Sequence, residues 1–118
     1  MMSGLFRRIR FWFAGWFRPA PLPPFALTFV EGDELPDAIP ERTVVVARED
    51  GDLWSAGMIC PCGCGRRIEL MLLPQVKPRW DVRVGKAGRP TLWPSVWAND
   101  GCRSHFLLRD GEVEWCRD

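Results

Sequence analysis

Three cysteines fall within five consecutive positions, Cys60-Pro61-Cys62-Gly63-Cys64, and a fourth opens Cys102-Arg103-Ser104-His105, which holds the only histidine of the chain. That pattern narrows the possible folds sharply. Cysteines two residues apart cannot bridge one another without strain, and a secreted disulfide framework spreads an even number through its loops, whereas this chain has five. Clustered thiols instead serve metal or redox chemistry in a reducing compartment, so a cytoplasmic location is expected. A structural zinc needs four nitrogen or sulfur donors in a tetrahedron. The candidate ligands are Cys60, Cys62, Cys64, Cys102 and His105. Gly63 and Gly65 permit positive φ and leave backbone N–H groups open to thiolates. The turn Asn99-Asp100-Gly101 presents Cys102 and His105 to one side. Cys62 and Cys102 sit centrally in their loops, and Cys60 and Cys64 contend for the remaining place beside His105. Such a site staples two β loops together.

Other chemistries compete for the same residues. The plainest is a set of buried thiols packed as small hydrophobes around a satisfied core histidine. Iron–sulfur is the rival cofactor, because Cys-x-Cys followed by Cys-x-x-His follows the two-loop plan of Rieske proteins. A Rieske centre takes two histidines, and only one exists here, which leaves at most a three-Cys, one-His cluster. Catalytic zinc would need an open position and a base, for which Glu69 and Asp100 are the candidates. A cysteine nucleophile could use His105 as its base only with that histidine off the metal. No phosphate loop, Ser/His/Asp pattern or paired-carboxylate motif is legible. Cys116 is a reserve ligand, read as a buried thiol at the end of the last strand.

The remainder of the chain reads as a β domain. With 118 residues, 47% apolar and 26% charged, it suits one folded core. Short runs are cut by Gly, Asp, Asn and Pro at close intervals. Strands are predicted over 26–30, 43–48, 53–59, 92–98, 106–109 and 112–116, with alternation also around Ile68-Leu70-Leu72 and Trp80-Val82-Val84. Asp50-Gly51 and Asp110-Gly111 signal tight hairpins. The fold class is mostly β, a small antiparallel sandwich or barrel with a zinc-ribbon-like or Rieske-like two-loop metal site. Residues 25–118 form this metal-binding domain.

Residues 1–24 differ in kind. Leu5, Phe6, Ile9, Phe13, Trp16 and Phe17 gather on one side of a predicted helix over 3–18, and the prolines at 19, 21, 23 and 24 make an extended tether. The aromatic side packs on the domain or a partner, or else lies on an anionic membrane surface beside Arg7, Arg8, Arg10 and Arg18. Phe11 to Phe17 is far short of the ~20 apolar residues of a membrane span. A net charge of +1 gives no global preference for nucleic acid. The basic excess of residues 60–109 admits phosphate contact as a minor reading.

Cys60-Pro-Cys-Gly-Cys-Gly65, the Trp80 strand, Thr91-Leu-Trp-Pro-Ser95, Gly101-Cys-Arg-Ser-His-Phe106 and Trp115-Cys116 together resemble a family of small bacterial domains of unknown function with CPCGCG and CRSHF signatures. The likeness covers roughly residues 25–118. Its members occur in part beside genes for ubiquitin-like conjugation. The resemblance implies an accessory role in such a conjugation or defence pathway, with a protein partner drawn from it. The function expected from the sequence is therefore a non-catalytic, zinc-stapled interaction module, with a redox or cysteine enzyme and a nucleic-acid-binding zinc module as alternatives.

Overall fold

The structure is a computed structural model that describes residues 22–98 and 101–116. The helix expected over 3–18 and the first prolines of the tether lie outside the described residues. Two four-stranded sheets are formed from chain-consecutive strands. The first contains β1 (Ala26–Glu31), β2 (Thr43–Glu49), β3 (Asp52–Ile59) and β4 (Arg67–Met71), side by side in that order. The second contains β5 (Asp81–Val84), β6 (Pro90–Trp97), β7 (His105–Arg109) and β8 (Glu112–Trp115), again in order. Among the described residues the only helical piece is a 3-10 turn at Lys86–Gly88. No described helix is long and apolar enough to cross a membrane.

The mostly β expectation holds, and both tight hairpins form. Asp50 and Gly51 take φ of 55° and 83°, and Asp110 and Gly111 take 49° and 82°, the left-handed pair that a two-residue hairpin turn needs. One pairing departs from the antiparallel expectation: β1 and β2 run parallel, from Ala26↔Thr43 to Glu31↔Arg48. Parallel neighbours need a crossover in place of a hairpin, and residues 32–42 supply it. That connector lies over the outer surface of the first sheet. Ile39 is buried there, and a Cβ on Gly57 would come within 2.5 Å of Ile39 Cδ1 and 2.9 Å of Leu35 Cδ1. Arg67 Nη1 donates to the carbonyls of Pro36 and Asp37 at 2.9 and 2.8 Å, pinning the same connector.

Alternation places every second side chain inward. Val44, Val46, Ala56, Met58, Ile68 and Leu70 from the first sheet meet Leu92, Val96, Phe106 and Leu108 from the second in one core. Each fully buried Val, Leu, Phe or Met among them stabilises the fold by about 1.5–3 kcal/mol. Cys60 joins that core at 3% exposure. The end of β3 is thus anchored in the interior just where the cysteine loop begins.

Candidate functional site

The loop after β3 is closed by the Cys60 N–H donating to Arg66 O at 2.7 Å. Gly63 and Gly65 take φ of 94° and 82°, so the chain turns back on itself with its thiols on one side, and the Arg66 N–H points at Cys64 Sγ at 3.4 Å. Cys102 arrives from the segment between β6 and β7. Cys60 Sγ lies 3.5 Å from Cys62 Sγ and 3.6 Å from Cys102 Sγ. The ligand atoms of Cys60, Cys62, Cys64 and Cys102 all lie within 4.8 Å of one another. Four sulfurs on a tetrahedral zinc at about 2.3 Å stand about 3.8 Å apart. The donor set and its spacing therefore fit a metal ion.

The thiols are electrostatically unequal. Burial pushes Cys60 up to about 12, against the pull of the Ser104 hydroxyl. Cys102 is lowered to about 6, first by the Ser104 side chain and then by the Ser104 backbone. Cys62 is also lowered, by Ser104 and then Cys64. Cys62 and Cys102 are thus disposed to be thiolate, the form a metal binds, whereas Cys64 is shifted the other way.

His105 stands apart from this group. It is the first residue of β7, and successive side chains of a strand face opposite ways. Ser104 is buried against the sulfurs, with its Oγ 3.2 Å from Cys102 Sγ and 3.5 Å from Cys60 Sγ. His105 therefore emerges on the other face. The Cys-x-x-His spacing would have suited a loop; the strand begins one residue too early for it. The imidazole instead places Nε2 2.9 Å from Ser95 Oγ and stacks on Trp97, ring centroids 4.8 Å apart at 14°.

Ser95 owes its position to an irregularity in β6. The ladder to β7 shifts register between Leu92 and Val96, so three residues, Trp93 to Ser95, span the stretch opposite Leu107. Pairing with β5 ends at Trp93↔Asp81. Beyond that point the Trp80 indole donates from Nε1 to Ser95 O at 3.1 Å. Trp93 and Trp97 flank the serine and are 59% and 54% exposed, which leaves the Ser95–His105 pair on an open surface. A cavity of about 180 Å³ lies on the far side of Trp97 and Trp80, lined also by Arg66, Ile68, Val96 and Ala98 among others, without Ser95 or His105 in its lining. Cys116, half-buried, follows β8, and its N–H donates to His105 O at 2.9 Å.

The structure brings four of the five expected ligands together and gives the fifth a different neighbour. Sequence reading missed Ser95, because ten residues, a register shift and a change of strand separate it from its histidine. The one available signal was that Trp-Pro-Ser and Cys-Arg-Ser-His both stood out as motifs. A family model described as "Bacterial ubiquitination-like system serine protease (BubE)" matches residues 31–116. No curated protein and no solved structure matches the chain.

Proposed function

This chain belongs to that bacterial ubiquitination-like system family, and on that premise we propose that it is a serine hydrolase cleaving the acyl bond at the C-terminal end of a ubiquitin-like modifier. Ser95 is the nucleophile and His105 the general base. The observation that carries the reading is the 2.9 Å approach of Ser95 Oγ to His105 Nε2, within the range a nucleophile–base pair needs.

The base role requires neutral His105 with its proton on Nδ1, so that Nε2 accepts from the Ser95 hydroxyl. As Ser95 Oγ bonds to the acyl carbon, its proton passes to Nε2. The imidazolium then returns it to the departing amine or alcohol. Water repeats the sequence on the acyl-serine and frees the enzyme. Trp97, stacked on the imidazole, holds the ring in place, and its π face favours the cation that forms. Trp80 fixes the carbonyl of the nucleophile, so little reorganisation is left for the moment of attack. The cavity beside Trp97 receives the chain on one side of the scissile bond.

The cysteine cluster has a separate task in this reading. Cys60, Cys62, Cys64 and Cys102 would hold Zn²⁺, which would supply folding energy there. A cytoplasmic setting keeps those thiols reduced. The four-sulfur shell alone equally suits a non-catalytic module that binds a component of the conjugation pathway, but such a module has no use for the Ser95–His105 pair.

A fluorophosphonate reagent distinguishes the two. It is expected to modify Ser95 stoichiometrically, and both Ser95→Ala and His105→Ala should prevent labelling while the chain stays folded. An unreactive wild-type protein that also fails to cleave a C-terminally extended modifier would restore the binding-module reading.

A further inference from the structure

The thiol cluster and the Ser95–His105 pair share one short piece of chain. Cys102 contributes to the first, His105 to the second, and Ser104 lies between them. Ser104 is the single buried polar side chain among the described residues, 7% exposed. Its hydroxyl contacts Cys102 Sγ at 3.2 Å and Cys60 Sγ at 3.5 Å. Its carbonyl accepts the Ala98 N–H at 2.7 Å. Ala98 directly follows Trp97, the residue stacked on His105. One residue thus touches the cluster with its side chain and ties the end of β6 to the start of β7 with its backbone.

We infer that Ser104 is a positioning residue that couples the metal centre to the dyad, so that a filled four-cysteine site holds His105 at hydrogen-bond distance from Ser95. The inference rests on the serine-hydrolase reading for its effect on catalysis, but not for its effect on the geometry of His105. The Ser104 hydroxyl touches one sulfur from each of the two loops, Cys60 and Cys102, and an ion shared by those sulfurs would fix the two loops relative to each other. With the ion bound, the Ser104 hydroxyl is locked onto the cluster, and the backbone that begins β7 is locked with it. The alternation of side chains then aims His105 away from the cluster and at Ser95. Without the ion nothing ties Cys60 and Cys102 to a common centre, and the position of Ser104 between them is held less tightly.

His105 is the only histidine in the chain, so its ring resonances in a long-range nitrogen–proton NMR spectrum need no assignment. The test compares full-length wild type, Ser104→Ala and Ser104→Thr, each loaded with zinc and each stripped by chelator. Zinc content, His105 ring shifts, the rate of fluorophosphonate labelling, and kcat and KM are measured. Wild type is expected to bind one zinc, and stripping should move the His105 resonances and slow Ser95 labelling. Zinc-loaded Ser104→Ala should retain its metal yet show displaced His105 resonances, with kcat down about 10-fold and KM unchanged. Ser104→Thr, which keeps the hydroxyl, should restore both. Identical His105 resonances in zinc-loaded Ser104→Ala and wild type would overturn the coupling, as would a wild-type chain that takes up no zinc. Failure of wild type to react with the fluorophosphonate overturns the hydrolase reading instead, and the NMR comparison still decides whether Ser104 positions His105.

Discussion

The outer surfaces of the two sheets are built alike and finished differently. On the first sheet the 32–42 connector lies across the surface, so that Val45 and Ala47, which alternate with core residues, are 2% and 0% exposed. On the second sheet the equivalent surface carries Trp93 and Trp97 at 59% and 54% exposure, with Ser95 and His105 beside them. A covered surface does the work of a core: it accepts small or absent side chains, such as Gly57, and rewards close fit. An open surface that keeps two large aromatics in water gains nothing in stability from them. On the proposed reading, exposed aromatics beside Ser95 and His105 are where the substrate chain would come to rest. On that reading the stability of this domain and its chemistry are laid on different faces, and substitutions should separate them.

Ser95→Ala tests the separation most severely. It removes a hydroxyl from the open face, so melting temperature and zinc content should match wild type. Hydrolysis should fall by at least about 10⁴-fold, the scale seen when a serine nucleophile is removed. A variant that loses stability in step with activity would show that the open face belongs to the core after all.

Gly57→Val is the converse on the covered face. Its first side-chain carbon meets Ile39 and Leu35 at 2.5 and 2.9 Å, and the branches that follow must lift the connector. Overpacking of this kind costs about 1–3 kcal/mol, which chemical denaturation would read as an earlier midpoint. The folded fraction should label with fluorophosphonate at the wild-type rate. Slower labelling at a temperature where the variant is fully folded would mean that the two faces communicate.

Trp97→Leu has a smaller effect and the opposite pattern. The indole is half out in water, so stability should scarcely change, while the imidazole loses the surface it stacks on. A base held less firmly should lower kcat by about 10-fold. Trp93→Leu, two residues before the serine on the exposed face, should act mainly on KM. Equal effects of the two substitutions on kcat would assign the tryptophans a shared role in binding and none in aligning the base.

The same division explains what could be read from the sequence. Strand alternation, the Asp50-Gly51 and Asp110-Gly111 turns and the packing of Cys60, Cys62 and Cys64 into one turn are local, and they are in the structure as expected. The parallel β1–β2 pair is not local: it depends on Ile39 and Leu35 finding Gly57 across the sheet. The role of His105 turned on where β7 begins. A loop through residue 105 would have left the imidazole with Cys102, whereas a strand starting there sends it to the opposite face. Pairing with Ser95 further required a register shift in β6 that no spacing rule announces. Metal ligands cluster along a chain because tight loops hold them; a dyad across two strands needs only that the sheet form.

Cys102 lies at the junction of the two regions, and its reactivity offers the finest test of how they meet. In freshly stripped protein its thiol is lowered to about 6 from an ordinary 9.0, chiefly by the Ser104 hydroxyl. At pH 7 about 90% of such a thiol is thiolate, against about 1% for an unperturbed one, a gain of roughly 90-fold in the reactive form. Lower basicity also weakens the nucleophile: with a Brønsted slope of about 0.45, three pH units cost roughly 20-fold. The net expectation is alkylation by iodoacetamide about 4-fold faster than at an ordinary exposed cysteine. Because the folded value lies below the ordinary one, the advantage should grow as pH falls from 9 towards 6, then level off once Cys102 itself is protonated. Zinc should suppress the reaction by occupying the sulfur, and in the stripped protein Ser104→Ala should move the levelling-off to higher pH. Mass spectrometry of the alkylated chain after short exposure reads each of these. If Cys102 instead reacts no faster than a model thiol at pH 7, the Ser104 hydroxyl does not donate to it in the metal-free state.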